Sequence, residues 1–223
     1  MIEMDPKTNR NNKTFESEIR IKIDDIDRFR ESLKSIDSKI IKEYKFIDEV
    51  YIPKNNKDWD LKEKCIRIRT YINDKNSENI NMSQILFSHI KLIEKDNFCF
   101  KQSIYPGGKL QLYSGPLNIA KEILEDLGFN YLFTIKKEKG WLYEIQNYKN
   151  NKNFIIALEK ITAWSIFNKN PIEYIYLAEI EEWSNNIEEI KAKFKEKLNL
   201  LNLDKNQIIS YPLPYYFSKI LKI

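Results

Sequence analysis

The sequence predicts an α+β fold, mainly antiparallel β, whose sheet curls into a barrel around a charged lumen with helices packed outside. Three observations carry that expectation. Several segments alternate at period two, which marks a strand with one apolar and one polar face. The polar faces hold acids and bases in blocks: "FESEIRIKI" at 15–23 sets Glu16, Glu18, Arg20 and Lys22 against Phe15, Ser17, Ile19, Ile21 and Ile23. Finally, three segments have helical spacing and are amphipathic. A half-wet antiparallel sheet explains any one such strand. Several strands together point to charged faces meeting inside, with the helices covering the apolar outer faces.

Residues 1–13 are polar and are expected to form a disordered tail. Residues 14–223 are expected to form one domain, since no repeat or long linker divides them. After strand 15–23, "DDIDRFRESLKSI" places Ile26, Phe29, Leu33 and Ile36 at helical spacing. Strands are expected at 46–52 and 65–71. "YINDKNSENINMSQ" reads as an exposed insertion, and 84–95 fits a helix or a strand. Strands at 97–104 and 109–113 flank the turn "YPGG". "PLNIAKEILEDLGF" reads as a helix closed by Gly128. Four strands follow near 131–138, 141–147, 153–161 and 174–182. A helix over 185–201 opens with Asn185 and Glu188 at capping-box spacing. Lys219 and Lys222 fall on what reads as a frayed tail.

Charged faces recur along the chain. "CIRIRT" sets Arg67 and Arg69 opposite Ile66 and Ile68, and "FCFK" sets Lys101 opposite Phe98 and Phe100. "KLQLY" puts Lys109, Gln111 and Tyr113 on one face, and "YLAEIEEW" does the same for Glu179 and Glu181. Both signs inside one lumen require a ligand or strict pairing to offset desolvation. Acids two residues apart suit a hard divalent cation, Mg²⁺ or Mn²⁺. Arginine and lysine on neighbouring strands suit phosphate oxygens. Together they fit a metal-bound polyphosphate.

Composition narrows the chemistry. The one histidine, His89, argues against a Ser–His–Asp triad or a histidine-rich zinc site. Cys65 and Cys99 have no metal-ligand spacing and read as buried free thiols. A net charge of +4 on 223 residues does not announce nucleic acid. No run has the length of a membrane span, so a cytoplasmic monomer or homodimer is expected. Trp59, Trp141, Trp164 and Trp183 read as core or rim aromatics.

In their order along the chain these motifs resemble the CYTH domain, or triphosphate tunnel metalloenzymes, which include class IV adenylyl cyclases, thiamine triphosphatases and inorganic triphosphatases. Glu16, Glu18 and Arg20 resemble its E-x-E-x-K strand, and "EVYIP" its D-x-Y-F, with Glu49 for Asp. "CIRIRT" resembles R-x-R, "FCFKQ" T-x-K, "ILEDLGF" L-x-x-L-G-F, and "IKKEKGWLY" K-x-R-x-x-Y. "IALEKI", "LAEIEE" and "IISYPLPYYF" resemble its closing motifs. The resemblance covers about residues 14–218. It implies an eight-stranded antiparallel tunnel holding a triphosphate and Mg²⁺ or Mn²⁺. Glu16, Glu18, Glu159, Glu179 and Glu181 would hold metal. Arg20, Lys22, Arg67, Arg69, Lys101, Lys109, Lys137 and Lys139 would hold phosphate. Glu16, Glu18, Arg67 and Glu181 would be catalytic. The implied activity is hydrolysis of inorganic triphosphate, thiamine triphosphate or a nucleoside triphosphate. A class IV adenylyl cyclase or a non-catalytic tunnel are the alternatives. The chain departs from the family at Gln111 and Tyr113, where acids are usual, and in the insertion near 73–96. Strict alternation from Phe133 would set Lys136 and Glu138 on the face opposite Lys137 unless a bulge intervenes.

Overall fold

The computed structural model describes residues 14–55, 58–72, 82–95, 98–148, 152–166 and 171–223; the expected tail at 1–13 lies outside them. The strands are β1 (Phe15–Ile23), β2 (Ser38–Pro53), β3 (Lys64–Tyr71), β4 (Met82–Lys95), β5 (Phe98–Pro106), β6 (Leu110–Pro116), β7 (Phe129–Tyr148), β8 (Lys152–Ser165) and β9 (Ile175–Ser184). The helices are α1 (Ile26–Ser35), α2 (Leu117–Asp126), α3 (Ile187–Leu200) and α4 (Leu213–Leu221). The sheet runs β3-β2-β7-β8-β9-β1-β5-β4, and a β3–β4 pairing closes it into an eight-stranded barrel. All these pairings are antiparallel. The ninth strand, β6, pairs with β4 beside β5.

Several expected boundaries move, each for a physical reason. The strands expected at 131–138 and 141–147 are one strand, β7, because a register shift between Lys137 and Lys139 absorbs the irregularity without a turn. The first half of β2 is exposed on both faces, so it shows no alternation from which to read it. Residues 82–95 of the expected insertion are a wall strand; 73–81 and 96 lie outside the described residues. Asn186, not Asn185, caps α3, accepting from the backbone N–H of Glu188 and Glu189 at 3.0 and 3.3 Å. The tail is not frayed, because α4 forms there.

The outer face of the barrel is apolar and covered. Ile19, Ile21, Ile156, Leu158 and Ile180 pack with Phe29 and Leu33 of α1 and Phe194 and Leu198 of α3. Ala120 and Leu124 of α2 pack with Tyr51, Ile66, Ile68 and Ile85. A third cluster faces inward. Ile161 is the register partner of Lys137, and Phe133 and Ile135 share the parity of Lys137. These side chains meet Val50, Leu177 and the α4 residues Leu213, Phe217 and Leu221, all buried. The Ile209 N–H donates to the Arg20 carbonyl at 2.8 Å, so the segment leading into α4 is stitched to β1. Thus α1, α2 and α3 line the outer wall, while α4 lies across one end of the barrel.

Candidate active site

The inward faces enclose a cavity of 1410 Å³. Its depth follows β1, which runs from the open mouth at Glu16 toward the end covered by α4. Register sets Glu18 beside Glu181 and Arg20 beside Glu179. Arg20 bridges two strands: its Nε donates to Glu179 Oε2 at 2.5 Å, and its Nη1 lies 2.7 Å from Glu18 Oε1. Lys101 of β5 lies 3.8 Å from Glu18 Oε1 and donates to the Tyr211 carbonyl at 3.4 Å. On the other wall, Arg69 donates bidentately to Asp48 at 2.8 and 2.7 Å, and its guanidinium sits 3.7 Å above the Phe46 ring. Arg67 Nε lies 3.2 Å from Asp48 Oδ2 but makes no hydrogen bond. Lys137 and the Tyr44 hydroxyl both donate to Glu159 Oε1, leaving the buried Oε2 without a partner.

At the mouth, Glu16, Glu18 and Glu181 each bring one carboxylate oxygen within 4.8 Å of the others. Hard oxygen donors from two neighbouring strands, β1 and β9, with Lys109 3.5 Å from Glu16, fit Mg²⁺ or Mn²⁺ by donor chemistry. Gly108 permits this approach: at φ +81°, a Cβ there would sit 1.9 Å from Glu16 Oε2. Crowding shapes the ionisation. Burial raises Glu181 to about 8, and Glu179, Glu16 and Glu18 add to it against Lys109. Glu181 faces the cavity, so water there moderates the burial while the crowding of acids remains. Burial also raises Glu16. Burial works against the charge on Glu18 and Glu179 too, but Arg20 prevails and holds both below the ordinary value. Burial, then the neighbouring Arg20, pulls Lys101 down to about 8.

Of the acids expected to hold metal, the structure brings Glu16, Glu18 and Glu181 together, with Glu18 also paired to Arg20 and Glu16 to Lys109, while Glu179 and Glu159 stand outside the cluster, paired to Arg20 and Lys137. Arg20, Arg67, Arg69, Lys101, Lys109 and Lys137 line the cavity, but Lys22 and Lys139 do not. Lys22 lies past the lumen and pairs with Asp24 at 2.9 Å. The register shift in β7 turns Lys139 outward, where it pairs with Glu43 at 3.2 Å. Lys136 and Glu138 pair with each other on the face away from Lys137. Gln111 lines the cavity, but Tyr113 packs on the outer cluster under α2. A bulge explains the split: Tyr113 pairs with Ile85 and Gln111 with Leu86, so Leu112 is skipped. The sequence reading missed Asp48 and Tyr44. It placed the motif's acid at Glu49, which instead faces outward and accepts from Lys121 at 2.9 Å. The signal was available: Asp48 shares the parity of Phe46 and Val50, and two arginines on one strand face need an anion opposite.

No protein-family model matches this chain, and no curated protein does. Solved structures do match. A Pyrococcus horikoshii protein aligns over 93% of this chain and 98% of its own, at 17% identity and TM-score 0.61. A conserved hypothetical protein of Pyrococcus furiosus aligns over 89% and 97%, at 22% identity and TM-score 0.56. A Vibrio parahaemolyticus protein described as a "putative adenylate cyclase" aligns over 92% and 98%, at 14% identity and TM-score 0.52. Identities this low establish shared fold. The shared fold is the closed antiparallel β-barrel that the resemblance implied.

Proposed function

We propose that this protein is a divalent-metal-dependent triphosphate hydrolase working inside the tunnel. One observation carries the reading: the carboxylate cluster of Glu16, Glu18 and Glu181 stands at the mouth of a cavity whose deeper wall is cationic. Glu16, Glu18 and Glu181 would hold Mg²⁺ or Mn²⁺. When bound, that ion supplies charge neutralisation and Lewis acidity to phosphate oxygens. Arg20, Lys101, Arg67 and Lys137 bind the phosphate chain. Arg67 is the best-placed donor, since among the described residues its Nε has no hydrogen-bond partner and its Nη1 donates to the weak acceptor Cys65 Sγ at 3.7 Å. An anion beside Lys101 keeps its ammonium charged despite burial. Water attacks the terminal phosphorus, the bridging P–O bond breaks, and the proton leaves through the mouth to solvent. Positioning and charge stabilisation carry most of this chemistry.

The Vibrio protein's description favours a second reading in which the 3′-oxygen of ATP attacks the α-phosphorus and releases pyrophosphate and cyclic AMP. Incubation with Mg²⁺ or Mn²⁺ and tripolyphosphate, thiamine triphosphate or ATP separates the readings. Orthophosphate is expected, while pyrophosphate with cyclic AMP would favour the cyclase. Binding without any product would leave a tunnel that only binds. Glu18→Gln is expected to lower turnover at least a hundredfold with the fold retained by circular dichroism; wild-type rates would refute the carboxylate assignment.

A further inference from the structure

Along β3 the cavity runs from one end of the barrel to the other. The inward face of that strand lines it without a break: Tyr71 at the mouth, then Arg69, Arg67 and Cys65, and last Glu63, which precedes the strand and is exposed. From Tyr71 to Glu63 is eight residue steps, roughly 26 Å of strand. The wall is intact at the far end, since the Ile90 N–H of β4 donates to the Glu63 carbonyl at 2.8 Å. α4 does not seal this side. Its apolar cluster draws on β2, β3, β7, β8 and β9 but, among the described residues, on none of β4 or β5. The cavity therefore continues past Arg67, between Leu61, Lys64 and Ile90 on one bank and Pro212 and Pro214 on the other. Lys62 spans the two banks, its ammonium 5.8 Å from the Tyr211 ring and 5.1 Å from the Tyr215 ring. The Tyr211 carbonyl in turn accepts from Lys101 of the lumen at 3.4 Å.

We propose that this second opening, between residues 61–64 and 212–214, is a port for orthophosphate, through which the hydrolysed terminal phosphate leaves while the rest of the substrate leaves by the mouth. The proposal rests on the hydrolase reading above. A chain of phosphates entering at the mouth sets one terminal phosphate deepest, at the level of Arg67. In-line displacement puts the attacking water on its far side. Orthophosphate then forms with the diphosphate fragment and the carboxylate cluster between it and the mouth. The way left open follows β3. The Arg67 Nε, without a hydrogen-bond partner among the described residues, stands at its start, and Lys64 lines its end. Glu63 beside Lys64 is exposed, so water screens its charge.

The test has two arms. In the first, Cys65, which lines the passage beyond Arg67, is labelled with a small methanethiosulfonate in a Cys99→Ser background. Tripolyphosphate is expected to slow labelling less than threefold, because the reagent enters behind it. Leu61→Trp, which narrows the port, is expected to slow labelling at least tenfold. Strong protection by tripolyphosphate, or a rate indifferent to Leu61→Trp, overturns the proposal. The second arm follows tripolyphosphate with Mg²⁺, reading bond breaking by rapid quench and free orthophosphate by a fluorescent phosphate sensor. Leu61→Trp and Lys64→Glu are each expected to slow release at least fivefold and to leave bond breaking within twofold. Equal slowing of both steps, or release unchanged in both variants, overturns the port and leaves the hydrolase reading intact. A wild type that forms no orthophosphate from tripolyphosphate, thiamine triphosphate or ATP removes both.

Discussion

Arg67 and Arg69 stand two residues apart on one face of one strand, yet they are not equivalent. Both nitrogens of Arg69 that reach Asp48 are committed to it, and its flat face rests on Phe46. Arg67 lies beside the same Asp48, its Nε 3.2 Å from Oδ2, but that Nε makes no hydrogen bond. Removing one partner of a buried ion pair strands the other. Arg69→Ala is therefore expected to cost about 3 kcal/mol of stability, read by chemical denaturation, with part recovered when Asp48→Asn is added. Arg67→Ala is expected to weaken tripolyphosphate binding at least tenfold by calorimetry with a much smaller stability change. The reverse pattern would exchange their roles. At this scale the sequence was informative where alternation was strict: Glu16, Glu18, Arg20, Glu179 and Glu181 all face the lumen. It misled at strand ends and bulges. Lys22 shares the parity of Arg20 but lies past the lumen, and the Asp48–Glu49 doublet gives an acid to either face until the opposite strand is known.

Between β2 and β7 a single glycine sets the fit. A Cβ on Gly140 would lie 2.4 Å from Tyr44 ring carbons, so the bare backbone of β7 lets Tyr44 lie inward and reach Glu159. Gly140→Ala is expected to lower stability by about 1–3 kcal/mol through overpacking. It should also lower kcat as Tyr44 leaves Glu159. Thermal melts and steady-state kinetics check both; a variant unchanged in both measures would show that the ring moves aside freely. Elements were legible where one face was apolar and its partner was an amphipathic helix, as in β1, α1 and α3. The start of β2 has neither face buried, and the long β7 hides its continuity behind a bulge. For α4 the difficulty was different: its apolar residues dock on inward faces of distant strands, a partner that no local pattern announces.

At the scale of the molecule, the barrel concentrates charge, and its stability should depend on pH accordingly. Burial, then the crowding of Glu179, Glu16 and Glu18 against Lys109, raises the Glu181 carboxyl in the folded chain from its ordinary value of 4.5 toward about 8. Across that window the folded chain binds more protons than the unfolded chain, so stability falls as pH rises. Glu16 acts in the same direction. Glu18 and Glu179 act oppositely, and their contribution is lost as pH falls below the ordinary carboxylate range. In chelator, Tm is expected to fall from pH 5 to 8, and Glu181→Gln should flatten that slope. Mn²⁺ should raise Tm more at pH 8 than at pH 6, because cation and proton compete for the same oxygens. A wild-type slope unchanged by Glu181→Gln would remove Glu181 from this role. The charged lumen was legible from repeated two-sided strands; the number of wall strands came from the family resemblance, because alternation does not count them. The pairing of β1 with β9 also has a consequence in time. Arg20 and Glu179 are 159 positions apart, so during synthesis β1 can meet β5 well before β9 emerges to supply Glu179. Sealing the cylinder along the β1–β9 seam is left to a late, long-range event.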